Sequence, residues 1–237
     1  MKSTVQADNP QQLTLSVKLR HDASFDNFLG AANKKNSEIL RHALNSGELF
    51  VYLCGDQASG KTHLLNASCN ALETQNKRVM FLSLKEFGAF DRQLFDGLES
   101  FDAVMLDDID LLFDDEESEE ALFDLYNRLR LNGKMLIVTA SKPVANQTLK
   151  LADLRSRLGA GLLLQLFKLT DVEKEEALKS KAKDKGLILG DEAAAYIMKR
   201  SDRSLDELFG LLDQLDDASL SAQRRLTVPF VKSVLGW

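Results

Sequence analysis

Residues 55–62 have the sequence GDQASGKT, which matches the pattern G-x-x-x-x-G-K-[ST] at every fixed position. The apolar run LFVYLC precedes them at 49–54, and a helical pattern of apolar residues follows. In this context the glycines let the backbone curl so that successive amide N–H groups point inward, and the next helix adds its own free N–H groups. A tight glycine turn is the alternative, but the flanking strand and helix favour a loop that holds phosphate groups.

The pattern gives each polar residue of the loop a task. Lys61 places a positive charge near the β and γ phosphates of a nucleotide, and Thr62 offers its hydroxyl to Mg²⁺. We therefore expect ADP or ATP with Mg²⁺, and the pattern does not choose between the two nucleotides. The residues predicted to contact the phosphates are Gly55, Gln57, Ala58, Ser59, Gly60, Lys61, Thr62 and His63.

A second apolar run, at 104–106, ends in two acids, Asp107 and Asp108. Such a run is a weak signal alone, but behind a phosphate loop the end of the strand delivers a carboxylate to the metal. We expect Asp107 to hold Mg²⁺ through a water, together with Thr62. Asp108 is placed to polarise an attacking water, and a helix cap is the alternative role for it.

Strand and helix patterns alternate through the first two thirds of the chain. Runs typical of buried strands lie near 49–54, 79–84, 101–106, 134–139 and 162–167. Helical patterns between them predict an α/β fold with a five-stranded parallel sheet between helices. From Thr170, where a capping box begins, only helical patterns follow. We predict a tail at 1–20, a nucleotide-binding α/β subdomain at 21–168 and a small helical lid subdomain at 169–237.

Charge and composition exclude several classes of function. The 30 basic and 36 acidic residues give a formal net charge of −6, unlike a generally basic nucleic-acid-binding protein. Three histidines and two cysteines are scattered, which excludes a zinc cluster. No apolar stretch is long enough to cross a bilayer, and the polar N-terminus does not resemble a signal peptide. We expect a cytoplasmic protein with reduced thiols at Cys54 and Cys69 and no membrane partner.

The phosphate loop, the paired acids at a strand end and the helical lid together resemble an AAA+ ATPase. The segment Phe25-Asp26-Asn27-Phe28 narrows the resemblance to the DnaA initiator group, because it is similar to the segment with which that group contacts the nucleotide base. The resemblance covers about residues 20–237. It implies that Phe25, Asn27 and Phe28 contact the base.

The segment Leu154-Arg155-Ser156-Arg157-Leu158 resembles the arginine-finger box of the same group. The resemblance implies that Arg157 reaches the nucleotide of a neighbouring molecule. A pair of surface ion pairs is the alternative role for Arg155 and Arg157.

Two sensor positions depart from the family pattern. Asp206 stands where DnaA relatives carry a nucleotide-sensing arginine, and Arg203, one helical turn earlier, is the expected replacement. At the end of the fourth strand the sensor is Thr139 or Ser141, and we assign Ser141. These departures imply weak intrinsic ATP hydrolysis at most.

The N-terminal tail contains Gln12-Leu13-Thr14-Leu15-Ser16-Val17, which resembles the peptide that binds the replication sliding clamp. An extended tail could place Leu13, Leu15 and Val17 in an apolar groove while Gln12 makes polar bonds. Ser16 and Val17 depart from the usual Pro and Leu. An edge strand packed on the α/β part is the alternative.

These resemblances imply a nucleotide-bound regulator of chromosome replication initiation that stimulates hydrolysis of the ATP bound to DnaA. Its expected partners are DnaA and the sliding clamp, with DNA reached only through the clamp and self-association left open. The alternative is an autonomous AAA+ ATPase such as a helicase loader.

Overall fold

The computed structural model describes residues 23–87, 90–222 and 225–237. The predicted clamp-binding residues Gln12, Leu13, Leu15 and Val17 lie outside these ranges. The predicted bounds of the tail, the α/β subdomain and the lid stay a prediction.

Five parallel strands form one sheet in the order β2-β3-β4-β1-β5. The strands are β1 (Phe50–Cys54), β2 (Val79–Ser83), β3 (Ala103–Asp107), β4 (Met135–Ala140) and β5 (Leu162–Gln165). All five residues of β1 are buried because β1 lies inside the sheet with helices on both faces. The predicted fold class is confirmed.

Four helices cover the two faces of the sheet. They are α1 (Ala31–Ala43), α2 (Lys61–Glu73), α3 (Glu116–Leu131) and α4 (Ala152–Leu158). Side chains alternate along β1, so Tyr52 packs in one core layer with residues of α3 and α4, while Leu53 packs in the other with residues of α1 and α2. Short 3₁₀ turns join several elements, and one at Ile109–Leu112 follows β3 directly.

Strand β5 is shorter than the predicted run at 162–167. The backbone beyond it pairs with a helix side chain: Asn33 Nδ2 donates to Phe167 O at 2.7 Å, and Phe167 N donates to Asn33 Oδ1 at 2.8 Å. Asn33 lies on α1, for which the sequence patterns predicted no element. These two hydrogen bonds with the Asn33 side chain thus satisfy backbone groups of Phe167 that would otherwise remain unpaired at the edge of the sheet.

Four helices after the sheet pack around their own apolar core, as predicted for a lid. They are α5 (Asp171–Asp184), α6 (Asp191–Arg200), α7 (Leu205–Ala222) and α8 (Val228–Leu235). The capping box at α5 is present, since Glu173 N donates to Thr170 Oγ1 and Thr170 N donates to Glu173 Oε2. Among the helices of the described ranges, none is both long and apolar enough to cross a membrane.

Candidate functional site

The phosphate loop joins β1 to α2 at the carboxyl end of the sheet. Gly55 N donates to Ala140 O at 3.2 Å, which fixes the start of the loop against β4. Gly60, the residue before α2, has φ 94° and lies so close to Phe28 that an added Cβ would approach the ring to 2.6 Å. Only glycine satisfies both the backbone angle and this contact.

Two side chains of the loop are buried with donors facing inward. Lys61 Nζ donates to the carbonyls of Gly55 at 2.7 Å and Asp56 at 3.0 Å, so the ammonium group lies under the loop. The buried hydroxyl of Ser59 has no hydrogen-bond partner among the described residues. Because an unpartnered buried hydroxyl costs free energy, a phosphate oxygen in this loop would satisfy a group that the fold leaves open.

Thr62 and Asp107, the two residues predicted to hold Mg²⁺, are in contact with each other. Thr62 Oγ1 donates to Asp107 Oδ2 at 2.6 Å, and Thr139 Oγ1 donates to the other carboxylate oxygen at 2.5 Å. Asp107 is buried at the end of β3, and its carboxylate is held by these two hydroxyls. A hydroxyl beside a carboxylate is an oxygen donor set that suits Mg²⁺.

Asp108 adopts a left-handed conformation, with φ 61°, immediately after β3. Its amide donates to Thr139 Oγ1 at 2.9 Å, and its side chain caps no backbone N–H of the following 3₁₀ turn. The helix-cap alternative therefore has no support. Burial raises the pKa of Asp108, and the neighbouring Asp107 carboxylate raises it further, while Lys61 opposes both.

The structure separates the two candidates for the sensor on β4. Thr139 contacts both acids of the strand end, whereas Ser141 Oγ donates to Asp110 Oδ2 at 2.7 Å. Ser141, the predicted sensor, is therefore held by Asp110 on the 3₁₀ turn that follows the acids. The assignment of Ser141 stays a prediction, and Thr139 is the hydroxyl that orders Asp107.

The predicted base-contacting segment lies beside the phosphate loop. The ring of Phe28 lies 5.5 Å from the ring of His63, tilted by 41°, and His63 Nε2 lies 3.0 Å from Ser24 O. Asn27 and Ser24 close a turn by two reciprocal bonds between side chain and backbone. Phe25 instead packs into the core layer of α1 and α2. Of the three predicted base contacts, Phe28 and Asn27 line the cleft described next.

A cleft of about 380 Å³ lies between this segment, the phosphate loop and the lid. The loop contributes Ala58, Ser59, Gly60 and His63. The lid side contributes apolar and charged residues that no sequence motif indicated: Leu169, Ala177, Ser180, Lys181, Asp184, Leu205 and Phe209. All of them except Leu169 lie on α5 or α7. Helical periodicity predicts that they share a face of each helix, but only the tertiary packing shows that these faces contact the phosphate loop.

Arg203 does not line this cleft. Its guanidinium donates to Asp171 Oδ2 at 2.6 Å and to Met198 O at 3.0 Å. The predicted lid sensor is thus tied to the lid itself in this conformation. Its role as a sensor stays a prediction.

The two arginines of α4 differ in their surroundings. Arg155 donates to the carbonyls of Leu149 at 3.0 Å and Val144 at 3.4 Å, so it holds the loop before the helix. Arg157 is exposed, and its guanidinium makes no hydrogen bond or ion pair with any residue in the described part of the chain. The surface ion-pair alternative therefore fails for Arg157, and Arg155 has a structural role.

Two family models match the chain. The bacterial DnaA ATPase domain matches residues 19–165, which include the phosphate loop, the paired acids and α4. The Hda lid domain matches residues 171–235. The chain belongs to the DnaA-related AAA+ family. The first match covers more than half of the chain, and the second identifies its helical lid.

A relative of this DnaA-related chain is an uncharacterized protein of Haemophilus influenzae, 39% identical over 229 residues, which cover 95% of this chain and 98% of the relative. The crystal structure of domain III of Thermotoga maritima DnaA aligns with a TM-score of 0.74 and 19% identity over 92% of this chain and 97% of that one. AMPPCP-bound DnaA of Aquifex aeolicus aligns with a TM-score of 0.68 and 24% identity over 83% and 65%. At these identities the solved structures show a shared fold.

Proposed function

We propose that this DnaA-related protein binds ADP or ATP with Mg²⁺ and stimulates hydrolysis of the ATP bound to DnaA. The observation that carries the proposal is Arg157, an exposed arginine without a partner in the described ranges, on a helix inside the match to the DnaA ATPase domain. The match to the Hda lid supports the regulatory branch of the family, whose members switch DnaA off.

The nucleotide of the protein itself would be held by the phosphate loop. Backbone amides at 55–62, the Lys61 ammonium and the open Ser59 hydroxyl supply donors to phosphate oxygens. Thr62 and Asp107 would hold Mg²⁺, which neutralises phosphate charge when bound. Phe28 and the facing lid residues would then enclose the base in the cleft. Solved relatives support this assignment, since one DnaA structure contains AMPPCP.

Arg157 would act on the nucleotide of DnaA rather than on its own. An arginine finger supplied by a neighbouring molecule meets negative charge that develops on the transferring phosphoryl group, and it accelerates hydrolysis by roughly 10³- to 10⁵-fold. The planar guanidinium matches phosphate oxygens in a way that the ammonium of lysine does not. Arg155 is occupied by two carbonyls, which leaves Arg157 as the arginine of this box that is free to reach a partner.

The tail would bring the protein to replicating DNA. Gln12, Leu13, Leu15 and Val17 are the proposed clamp-binding residues, by their resemblance to the clamp peptide. DNA is then reached through the clamp, and the protein would act in the cytoplasm, where DnaA acts. Self-association of the chain stays open.

One observation favours a second function, that of an autonomous ATPase such as a helicase loader. Asp107 is hydrogen-bonded to Thr62 and Thr139, and Asp108 beside it has no capping role, which supports a role for Asp108 toward an attacking water. The two functions differ in which ATP is consumed. The regulator leaves its own nucleotide nearly intact, whereas the loader turns over its own ATP rapidly.

The test is hydrolysis of ATP pre-bound to DnaA in the presence of this protein, the sliding clamp and DNA, each omitted in turn. We expect hydrolysis to need all components and to be lost with Arg157→Ala and Arg157→Lys. Arg130→Ala, at another exposed arginine, is the matched control and should retain full stimulation. If both Arg157 variants stimulate DnaA fully, the action in trans is refuted. If this protein hydrolyses its own ATP faster than it stimulates DnaA, the autonomous ATPase is favoured.

A further inference from the structure

Glu119 on α3 is a fully buried carboxylate, with 0% of its surface exposed. It accepts hydrogen bonds from three backbone amides, one just before α3 and two in the segment before α4. Leu151 N donates to Oε2 at 2.7 Å, Lys150 N donates to both oxygens at 3.0 and 3.1 Å, and Asp114 N donates to Oε1 at 3.1 Å. Burying a carboxylate is costly unless its oxygens are satisfied, so this arrangement is an ordered part of the fold.

Two of these donors lie at the start of α4. Leu151 is the residue before α4 and has no side chain that could cap the helix. Helices usually receive a capping oxygen from a serine, threonine or aspartate at that position. Glu119, 32 residues earlier in the chain, instead accepts from the backbone N–H groups of Lys150 and Leu151, the two residues before the helix, and its negative charge suits the positive end of the helix dipole.

Further contacts hold the same loop to the segment before α3. Thr148 Oγ1 donates to Asp114 Oδ2 at 3.0 Å, and Lys150 Nζ donates to Asp114 O. On the other side, Arg155 donates to Leu149 O at 3.0 Å. Because Glu119 is a fully buried carboxylate and binds the last two residues before α4, it fixes where the helix begins.

The body of α4 is anchored on one face only. Leu154 and Leu158 are fully buried in the core layer that contains α3, whereas Arg157 lies on the exposed face of α4. A helix of seven residues that loses its N-terminal anchor can shift or unwind in its first turn, since a short helix has little stability of its own. The position of the Arg157 guanidinium therefore depends on the start of α4.

We propose that Glu119 is a positioning residue for Arg157: its carboxylate anchors the two residues before α4 to α3 and so directs the arginine toward the partner's nucleotide. The proposal rests on the action of Arg157 in trans described above. It requires two acceptor oxygens, because Oε1 and Oε2 divide the three donors between them. A glutamine, with one carbonyl oxygen, should satisfy only part of the set.

The test compares Glu119→Ala and Glu119→Gln with Arg157→Ala and with Glu120→Gln, a matched control at the exposed neighbour on the same helix. Three quantities are measured for each: the rate of DnaA-bound ATP hydrolysis at saturating protein, the concentration that gives half of that rate, and the affinity of the variant for ADP. We expect Glu119→Ala to lower the saturating rate by roughly 10- to 100-fold, as misplacement by about 1 Å does elsewhere. Glu119→Gln should lie between Ala and wild type, and ADP affinity should stay within about twofold.

The outcomes distinguish a wrong positioning role from a wrong proposed function. If Arg157→Ala removes stimulation while both Glu119 variants keep it, the positioning role is wrong. If a Glu119 variant loses ADP affinity in parallel with stimulation, Glu119 maintains the whole fold, and the proposal is overturned. If Arg157→Ala itself retains stimulation, the proposed function is wrong and the positioning role falls with it. Should the alanine variant fail to fold, the same comparisons apply to Glu119→Gln, which keeps the volume of the side chain.

Discussion

Gly60→Ala tests how the phosphate loop and the base-contacting segment are joined. Gly60 has φ 94°, and a Cβ at this position would lie 2.6 Å from Cε2 of Phe28. The substitution therefore imposes two costs, one on the backbone and one on the contact between the loop and the ring. Gly133→Ala imposes the first cost alone, because Gly133 has φ 62° and no atom within 4 Å of an added Cβ.

The two costs can be given magnitudes. A positive φ costs an alanine about 1–2 kcal/mol relative to glycine. A carbon–carbon contact at 2.6 Å is about 1 Å shorter than the optimum, so the ring of Phe28 must move, and overpacking of this kind costs about 1–3 kcal/mol. Gly60→Ala should thus lower the free energy of unfolding by about 2–5 kcal/mol, against about 1–2 kcal/mol for Gly133→Ala.

Urea denaturation measures the free energy of unfolding, and calorimetry measures ADP affinity. Both are applied to the two alanine variants, to Phe28→Ala and to the Gly60→Ala, Phe28→Ala double variant. In the Phe28→Ala background the ring is absent, so the cost of Gly60→Ala should fall to that of Gly133→Ala. ADP affinity should decrease in Gly60→Ala because the displaced ring alters the cleft, and it should be unchanged in Gly133→Ala.

The reasoning is refuted by either of two results. Equal costs for Gly60→Ala and Gly133→Ala would show that the contact with Phe28 carries no energy. A cost of Gly60→Ala that stays at its full value without the ring, instead of falling to that of Gly133→Ala, would show that the contact with Phe28 does not contribute to it.

Three further predictions concern the loop, the acid pair and the tail. Lys61→Ala should abolish ADP and ATP binding in calorimetry, since a charge facing the phosphates is lost; unchanged affinity would contradict the assignment of the loop. Asp108→Asn should raise the Tm at pH 7. Burial raises the pKa of Asp108 in the folded protein, so the ionised carboxylate destabilises the fold, and this cost builds up as the pH rises from the ordinary pKa to the raised one. The gain should vanish below pH 3.8, the ordinary pKa of the residue, and a pH-independent gain would exclude this cause. Gln12→Ala with Leu15→Ala should remove binding to the clamp in a pull-down while Tm and ADP affinity stay unchanged, and retained clamp binding would favour the edge-strand alternative.

Elements whose signals are contiguous in the chain were predictable. Strand β1, the phosphate loop and the first turn of α2 follow one another without interruption, so a pattern of a few residues fixes all three. The capping box at Thr170 is likewise local, since both partners lie within one turn. No pattern in the sequence predicts α1, because its residues, AANKKNSEILRHA, are largely polar. The helix is stabilised by packing against β5 and by the hydrogen bonds of the Asn33 side chain.

The form of the phosphate loop and the chemistry proposed for it follow from the sequence alone, because glycine spacing, a lysine and a threonine act through the residues next to them. The order of the site's other side chains was decided by the tertiary structure. Thr139 reaches Asp107 from a different strand, and Arg203 is diverted to Asp171, 32 residues away in the chain. Hydrogen bonds between strands and helices depend on where the sheet brings distant segments together. No periodicity in the sequence records that distance, and for the same reason only the fold shows that Glu119 binds the residues before the helix of Arg157.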